Sequence, residues 1–169
     1  MIPKEVTHVQ FIPATRQDLP SLNSMVNDPE VSRYLNLIPP VPMESTLAFW
    51  DRVESGQGKV WCIHGGGGII GCAGIWPNQP GTKIAHTAAF FLYLKPAWWG
   101  RGIGDLAMHH LETQALAKGF LRLECHVAAG NARAIRLYER HGFVREGLMR
   151  RAFLDGNQFS DLVMMGKVW

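Results

Sequence analysis

The stretch KIAHTAAFFLYLKPAWWGRGIGD, residues 83–105, decides the fold because an extended apolar run leads directly into a glycine-rich loop. Residues 83–95 predict a long strand that is nearly apolar at its end, as in a central strand of a sheet covered on both faces. From Ile103 onward apolar residues recur at helical spacing. This helix should end at Lys118-Gly119, since a cation and a glycine are typical of a helix C-terminus.

The loop WWGRGIGD, residues 98–105, fails two tests for nucleotide binding. A dinucleotide-binding turn needs a third glycine where Asp105 stands, and a Walker loop needs a lysine followed by serine or threonine, which Gly104-Asp105-Leu106 lacks. Alternate glycines at a helix N-terminus still leave free backbone N–H groups that suit an anion such as a pyrophosphate. A sharp, glycine-eased turn explains the same residues, so the loop alone leaves both interpretations open.

Periodicity and turn residues predict the remaining elements on both sides of this segment. The order βααβββαβαββ mixes hairpins with crossovers, which indicates a mixed α+β sheet rather than a doubly wound parallel one. We expect strands at 8–15, 59–64, 69–77 and 122–128 and a closing hairpin over 143–169. Helical spacing is expected over 15–28, in a short piece of 27–36, in a second helix that follows a bent, proline-rich connection at 38–42 and runs to about 55, and in a helix capped by Asn131.

Length and composition bound the class of protein. The 169 residues suffice for one domain over 1–169, and 47% hydrophobic with 18% charged residues is ordinary for a globular chain. No apolar run approaches the roughly 20 residues that cross a bilayer, so no membrane partner is expected. The first ten residues, MIPKEVTHVQ, lack the features of a secretory signal, and we expect a cytoplasmic protein.

The cysteines are odd in number and flanked by apolar residues. Buried, reduced thiols at Cys62, Cys72 and Cys125 are favoured over a disulfide between the first two. The sequence holds no CxxC pair and no HExxH run, and we expect no metal.

Arginines crowd the C-terminal third, although the formal net charge is only +3. Such a cluster suits nucleic acid, an anionic ligand or a solvated face. A nucleic-acid-binding module would place exposed aromatics among its cations, whereas Phe143 and Phe153 occupy core-like strand positions, so nucleic acid is not an expected partner. The arginines are Arg133, Arg136, Arg140, Arg145, Arg150 and Arg151.

A second motif, N-x-x-A-x-x-x-Y-x-x-x-G-F, begins at Asn131 and ends at Gly142-Phe143. Each residue has a structural explanation, because asparagine caps a helix, glycine ends it and phenylalanine enters the core. Ala134 and Tyr138 are four residues apart on one helix face, which presents a small residue and a phenol together.

The two motifs and their spacing resemble those of the GNAT superfamily of acyl-CoA-dependent N-acyltransferases. The likeness runs from about Val9 to the C-terminus and is strongest over 89–143. The family loop Q/R-x-x-G-x-G/A matches both glycines of Trp99-Gly100-Arg101-Gly102-Ile103-Gly104, with Trp99 in place of glutamine or arginine. Trp-Gly-x-Gly and the segment 28–35 are similar to the branches that acetylate ribosomal-protein N-termini or amino acids.

The resemblance implies a mostly antiparallel α+β sheet of about seven strands, splayed between the fourth and fifth and flanked by about four helices. Acetyl-CoA would be the co-substrate and lie in the splayed gap. Its pantetheine would pair with main chain around Leu92, Tyr93 and Leu94, and its pyrophosphate would take backbone amides from Arg101 to Gly104. The residues implied to bind the coenzyme are Leu92, Tyr93, Leu94, Trp99, Gly100, Arg101, Gly102, Ile103, Gly104, Asn131 and Tyr138.

For catalysis, the resemblance assigns Tyr138 as the acid that protonates the departing thiolate, with plain core packing as the alternative. The backbone N–H near Leu94 would stabilise the oxyanion. Relatives often carry a carboxylate base where this chain has Ala89. Glu124 is the candidate base here, while His86, His126, an ordered water or no base at all stay open.

The acceptor site would be walled by residues 24–53 and the closing hairpin, with Tyr34, Trp50, Trp76 and His86 as candidate contacts and Phe49 and Phe153 as further apolar linings. The implied reaction is direct transfer of acetyl, in a ternary complex, to a primary amine on a peptide or protein N-terminus, an amino acid or an amino-acid-like antibiotic. The alternatives are a sensor that binds acyl-CoA without turnover and a nucleic-acid-binding module. A homodimer is left open.

Overall fold

A computed structural model describes residues 8–169 as seven strands in one sheet and five α-helices. The segment MIPKEVTHVQ therefore falls mostly outside the described residues. The strands are β1 Gln10–Pro13, β2 Lys59–Gly65, β3 Gly68–Pro77, β4 Thr87–Leu94, β5 Arg122–Ala128, β6 Val144–Asp155 and β7 Gln158–Val168. The helices are α1 Leu19–Val26, α2 Pro29–Ser32, α3 Met43–Glu54, α4 Ile103–Ala117 and α5 Ala132–Arg140.

The sheet has the order β1-β2-β3-β4-β5-β7-β6 and is antiparallel except where β4 meets β5. That pair is parallel because α4 carries the chain back across the sheet, as a crossover between parallel strands requires. The mixed, mostly antiparallel sheet predicted from the element order is confirmed. The closing hairpin of β6 and β7 lies at one edge, with β7 against β5.

β4 and β5 pair over only three residues each, Thr87–Ala89 against Arg122–Glu124. Beyond Ala89, β4 continues to Leu94 beside β3 while its other edge has no strand partner. The splay expected between the fourth and fifth strands is thus present, and it opens an unpaired main-chain edge in the middle of the sheet.

Helices cover both faces of the sheet, because alternate residues of each strand point to opposite sides. On β2, Trp61 and Ile63 join the core beneath α4 and α5, whereas Val60 and Cys62 join the core beneath α1 and α3. The helical spacing from Ile103 predicted the buried stripe of α4, and all four of its positions are at most 1% exposed. Those positions are Ile103, Ala107, Leu111 and Ala115.

The start of β4 differs from the expectation. Residues 83–86 form turns rather than the start of β4, with the Ala85 N–H donating to Thr82 O and the Thr87 N–H to Ile84 O. β3 ends at Pro77 opposite Ala88, and a last hydrogen bond from the Asn78 N–H to Thr87 O at 3.0 Å closes its pairing with β4. The short helical piece expected in 27–36 is confirmed as α2, which Asp28 caps by accepting the N–H groups of Glu30 and Val31.

The three cysteines are buried free thiols, as the flanking residues predicted. None of the helices within 8–169 combines the length and apolarity needed to cross a membrane.

Candidate functional site

The gap between β4 and β5 forms a cleft of about 530 Å³. β4 supplies one wall, β5 and α5 the other, and the glycine loop closes one end, while α2 and the residues after it border the opening. Nine of the coenzyme-binding residues expected from the sequence line this cleft: Leu92, Tyr93, Leu94, Trp99, Gly100, Gly102, Gly104, Asn131 and Tyr138.

The edge of β4 that faces the cleft presents main-chain groups at alternate residues. The Lys95 N–H donates to Ile70 O in β3 at 2.8 Å. Because antiparallel pairing alternates, the main chain of Tyr93 also faces β3, whereas that of Leu92 and Leu94 faces the gap. Buried backbone groups need partners, so this edge suits a ligand that carries amides.

The glycine loop presents the N-terminus of α4 to the cleft. Gly100 and Gly102 have φ of +71° and +81°, a conformation that L side chains rarely adopt, and a Cβ at either would meet nothing within 4 Å. Gly104 has a different role, since a Cβ there would lie 3.0 Å from the Leu137 side chain where α4 packs on α5. No side chain caps α4, so its first-turn N–H groups are available to an anion.

Trp99 fixes this loop against both walls. Its indole Nε1–H donates to Leu94 O at 2.9 Å, which satisfies the last carbonyl of the cleft-facing edge. The guanidinium of Arg133 lies over the Trp99 ring at 3.7 Å from the ring centroid. Trp99 therefore holds a cation beside the glycine loop by cation–π attraction.

Two residues of the loop turn their side chains away from the cleft. Ile103 is 1% exposed within the core, and Arg101 stacks over Trp98 at 5.1 Å. The contacts expected of both residues involve their backbone amides rather than these side chains.

Tyr138 projects into the inner part of the cleft from α5. It is 8% exposed and meets the Phe90 ring edge-on at 5.2 Å. Burial raises the pKa of its hydroxyl, which keeps the phenol protonated. One helical turn before Ala134, Asn131 caps α5 by accepting the Ala134 N–H at 3.2 Å, and it also lines the cleft.

The candidate base Glu124 is bound on both carboxylate oxygens. Oε2 accepts from Arg122 Nε at 3.0 Å and Oε1 from Asn78 Nδ2 at 3.1 Å, and Glu124 does not line the cleft. His86 is exposed in the turn before β4. Among these alternatives His126 lines the cleft, where its side chain is exposed.

The four candidate acceptor contacts lie in different places. Tyr34 borders the cleft, and its hydroxyl donates to Gly130 O at 3.5 Å. Trp50 is 5% exposed within the core beneath α1 and α3, and Trp76 stacks between Phe49 and Arg52. Neither tryptophan lines the cleft, nor does His86.

A second cavity of about 350 Å³ adjoins the first and shares Leu35 and Asn36 with it. The segment after α2 forms one side and the end of β6, including Phe153, forms the other. These are the walls that the sequence predicted for an acceptor, although most of the individual candidates were different residues.

The sequence did not identify the charged residues of the cleft rim as site residues. Arg133, Arg136 and Arg140 line it from one face of α5, and Asp105 lines it from the first turn of α4. Arg140 pairs with Asp105 at 3.0 Å, so this carboxylate is neutralised beside the glycine loop. The spacing of three and then four residues between the arginines indicates that they share one helix face, and this pattern could have identified them.

Within residues 8–169 no three His, Cys, Asp or Glu side chains are grouped to hold a metal ion.

The model of the acetyltransferase (GNAT) family matches residues 23–143. An L-amino acid N-acetyltransferase of Escherichia coli is 27% identical over 161 residues, which cover 92% of this chain and 94% of the relative. An acetyltransferase of L-methionine sulfoximine and L-methionine sulfone from Pseudomonas aeruginosa is 25% identical, with 88% and 87% of the two chains covered. An acetyltransferase of Salmonella typhimurium, solved with acetyl-CoA, shares the fold at a TM-score of 0.84 and 19% identity, with 96% and 94% covered.

Proposed function

This chain belongs to the GNAT family of acetyltransferases, and we propose that it transfers the acetyl group of acetyl-CoA directly to an α-amine within a ternary complex. The acceptor is an amino acid, a peptide or protein N-terminus, or an amino-acid-like antibiotic. The observation that carries the proposal is the unpaired edge of β4, which runs from the splay to the glycine loop beside Tyr138.

The coenzyme would lie along this edge as an additional strand, since its pantetheine amides match the cleft-facing main-chain groups of Leu92. The N-terminus of α4 would take the pyrophosphate. Asn131 would contact the pantetheine arm while it caps α5. Coenzyme bound in this way places its thioester between β4 and α5, within the cleft that Tyr138 lines.

The chemistry requires three groups at the thioester. The neutral amine attacks the carbonyl carbon, and the Leu94 N–H stabilises the negative charge that develops on the carbonyl oxygen. The C–N bond forms, the C–S bond breaks, and the thiolate takes a proton from the Tyr138 hydroxyl. The nitrogen of the new amide loses one proton to solvent, and a proton from solvent restores the Tyr138 hydroxyl. His126 on β5 lines the cleft.

The candidate carboxylate base, Glu124, does not line the cleft, and this favours α-amines over the more basic side-chain amines. With a pKa near 8, roughly a quarter of a peptide's α-amine is neutral at pH 7.5, against about 0.1% of a lysine side chain. Glu124 is held by Arg122 and Asn78 outside the cleft, so an amine that is already partly neutral is the better match. The E. coli relative is named for L-amino acids, which agrees with this choice.

The test is release of free thiol from acetyl-CoA across a panel of amines. Nε-acetyl-lysine and Nα-acetyl-lysine are a matched pair, because they differ in which amine is free. We expect turnover with the first, with other L-amino acids or with short peptides, and little with the second or with spermidine. Acetylation of side-chain amines alone would contradict the α-amine proposal, and coenzyme binding without thiol release from any amine would favour an acyl-CoA sensor.

We further propose that residues 1–169 form a single domain and that the protein works in the cytoplasm. The family model and the single sheet together span most of the chain, which supports one domain. The proposal of the cytoplasm rests on the need for acetyl-CoA, which both acetyl transfer and sensing would require.

A further inference from the structure

Three arginines on one face of α5 line the outer part of the cleft and are exposed. They are in different electrostatic situations. Arg140 is paired with Asp105, and Arg133 lies over Trp99. Arg136 forms no ion pair, hydrogen bond or ring contact with any side chain within 8–169. Two cations of the rim, Arg133 and Arg136, thus carry no neutralising carboxylate.

Stacking on Trp99 orients Arg133 without using its hydrogen-bonding capacity. Because Arg133 is held by this ring contact and makes no hydrogen bond or ion pair within 8–169, its N–H donors can still bind an anion. Arg136 is one helical turn further along α5, about 5 Å away between Cβ atoms. A phosphate that sits between them would accept charge-assisted hydrogen bonds from both.

The pyrophosphate of the coenzyme already has partners in the N–H groups of α4, and Asp105 would repel a phosphate placed nearer to Arg140. The remaining anion of coenzyme A is the phosphate on the 3′-oxygen of its ribose. We propose that Arg136 and Arg133 bind this 3′-phosphate, so that the chain selects coenzyme A over forms that lack it. The inference rests on the proposed function, because it assigns a further part of the same ligand.

The experiment compares the affinities of coenzyme A and 3′-dephospho-coenzyme A by calorimetry, for the wild-type chain and three variants. Arg136→Gln and Arg133→Gln each remove a charge from the site. Arg150→Gln is the matched control, since Arg150 is exposed on β6 outside both cavities.

We expect the wild type to bind coenzyme A at least about tenfold more tightly than the dephospho form, as one or two hydrogen bonds between charged groups would give. Arg136→Gln should weaken coenzyme A binding about tenfold and leave dephospho-coenzyme A binding unchanged. Arg133→Gln should act in the same direction, and Arg150→Gln should change neither affinity. The preference should shrink as salt rises from 0.05 to about 0.5 M, because the arginines are exposed.

Each other outcome is distinguishable. Equal affinities of the wild type for the two ligands would overturn the inference without any variant. Equal losses for both ligands in Arg136→Gln would mean that this arginine serves the diphosphate instead, which also overturns it. If the wild type bound neither ligand, the proposed function would fail together with this inference.

Discussion

At the scale of single residues, Tyr138 is the most direct test of the chemistry. Tyr138→Phe removes the hydroxyl while keeping the ring against Phe90, so the packing of the cleft should survive. We expect kcat under saturating substrates to fall about a hundredfold, the lower end of what a positioned acid contributes. Because burial raises the pKa of this hydroxyl, the wild-type kcat should not decline up to about pH 9.5 through loss of its proton.

The affinity for acetyl-CoA separates catalysis from binding in this variant. It should stay within about twofold of wild type by calorimetry, since the hydroxyl acts on the departing sulfur rather than on the bound ground state. A kcat equal to that of the wild type would make Tyr138 a packing residue of the core.

Residues in local motifs could be assigned from the sequence, and residues defined by long-range contacts could not. The cap at Asn131 and the face shared by Ala134 and Tyr138 follow from spacing along one helix. Glu124 depends on Asn78, which is 46 positions away, so nothing in the strand pattern RLECHVA signals that its carboxylate is occupied. Trp99 departs from the family motif, and its contact with Arg133 joins two elements that the loop sequence alone does not connect.

At the scale of elements, substitutions in the loop before α4 should change acetyl-CoA affinity independently of the free energy of unfolding. Gly102→Leu and Gly56→Leu make the same change at φ of +81° and +85°, with no atom within 4 Å of the new Cβ in either place. Each should lower the free energy of unfolding by about 1–2 kcal/mol, the penalty for an L side chain in the left-handed region. Gly102 faces the cleft and Gly56 follows α3, so acetyl-CoA affinity should fall at least about tenfold only in Gly102→Leu.

Urea denaturation and calorimetry measure the two effects independently. Unchanged affinity in Gly102→Leu, at a loss of stability like that of Gly56→Leu, would show that the loop is a turn and does not hold the coenzyme.

Elements with their own periodicity were predictable almost to the residue, whereas boundaries set by a neighbour were not. Strand β5 was expected at 122–128 and occupies Arg122–Ala128. Strand β4 was expected to start at 83, yet it starts at Thr87, because its pairing with β3 ends with the bond from the Asn78 N–H to Thr87 O. The start of β4 depends on where its neighbour β3 ends, and the sequence of 83–86 contains no information about that position.

At the scale of the whole molecule, the cleft is a property of the topology. β4 stays paired with β3, and β5 stays paired with β7. The two strands of the parallel pair, β4 and β5, therefore diverge beyond Ala89. The family resemblance implied this splay, but the rim charges depend on how α5 lies against α4 through Gly104 and Leu137. The second cavity depends on the end of β6 reaching the segment after α2, a contact between residues over a hundred positions apart.

The buried thiols make the free energy of unfolding of the whole protein decrease at alkaline pH. Burial raises the pKa of Cys62 and of Cys125 to about 12, from an ordinary value of 9.0. Between about pH 9 and 12 the unfolded chain therefore binds fewer protons than the folded one, and the free energy of unfolding must fall as pH rises. The stabilisation from these protonated thiols is fully present below pH 9.

A single thiol contributes at most about 1.4 kcal/mol per pH unit to this decline. Cys125→Ala should therefore be destabilised by a cavity at pH 7.5, yet its stability should fall less steeply than that of the wild type from pH 9.5 to 10.5. The measurement is urea denaturation under reducing conditions at each pH, with the wild type in parallel so that other titrating groups cancel. Parallel pH profiles for the two chains would mean that the Cys125 thiol ionises as readily in the folded protein as in the unfolded one, which its burial on β5 rules against.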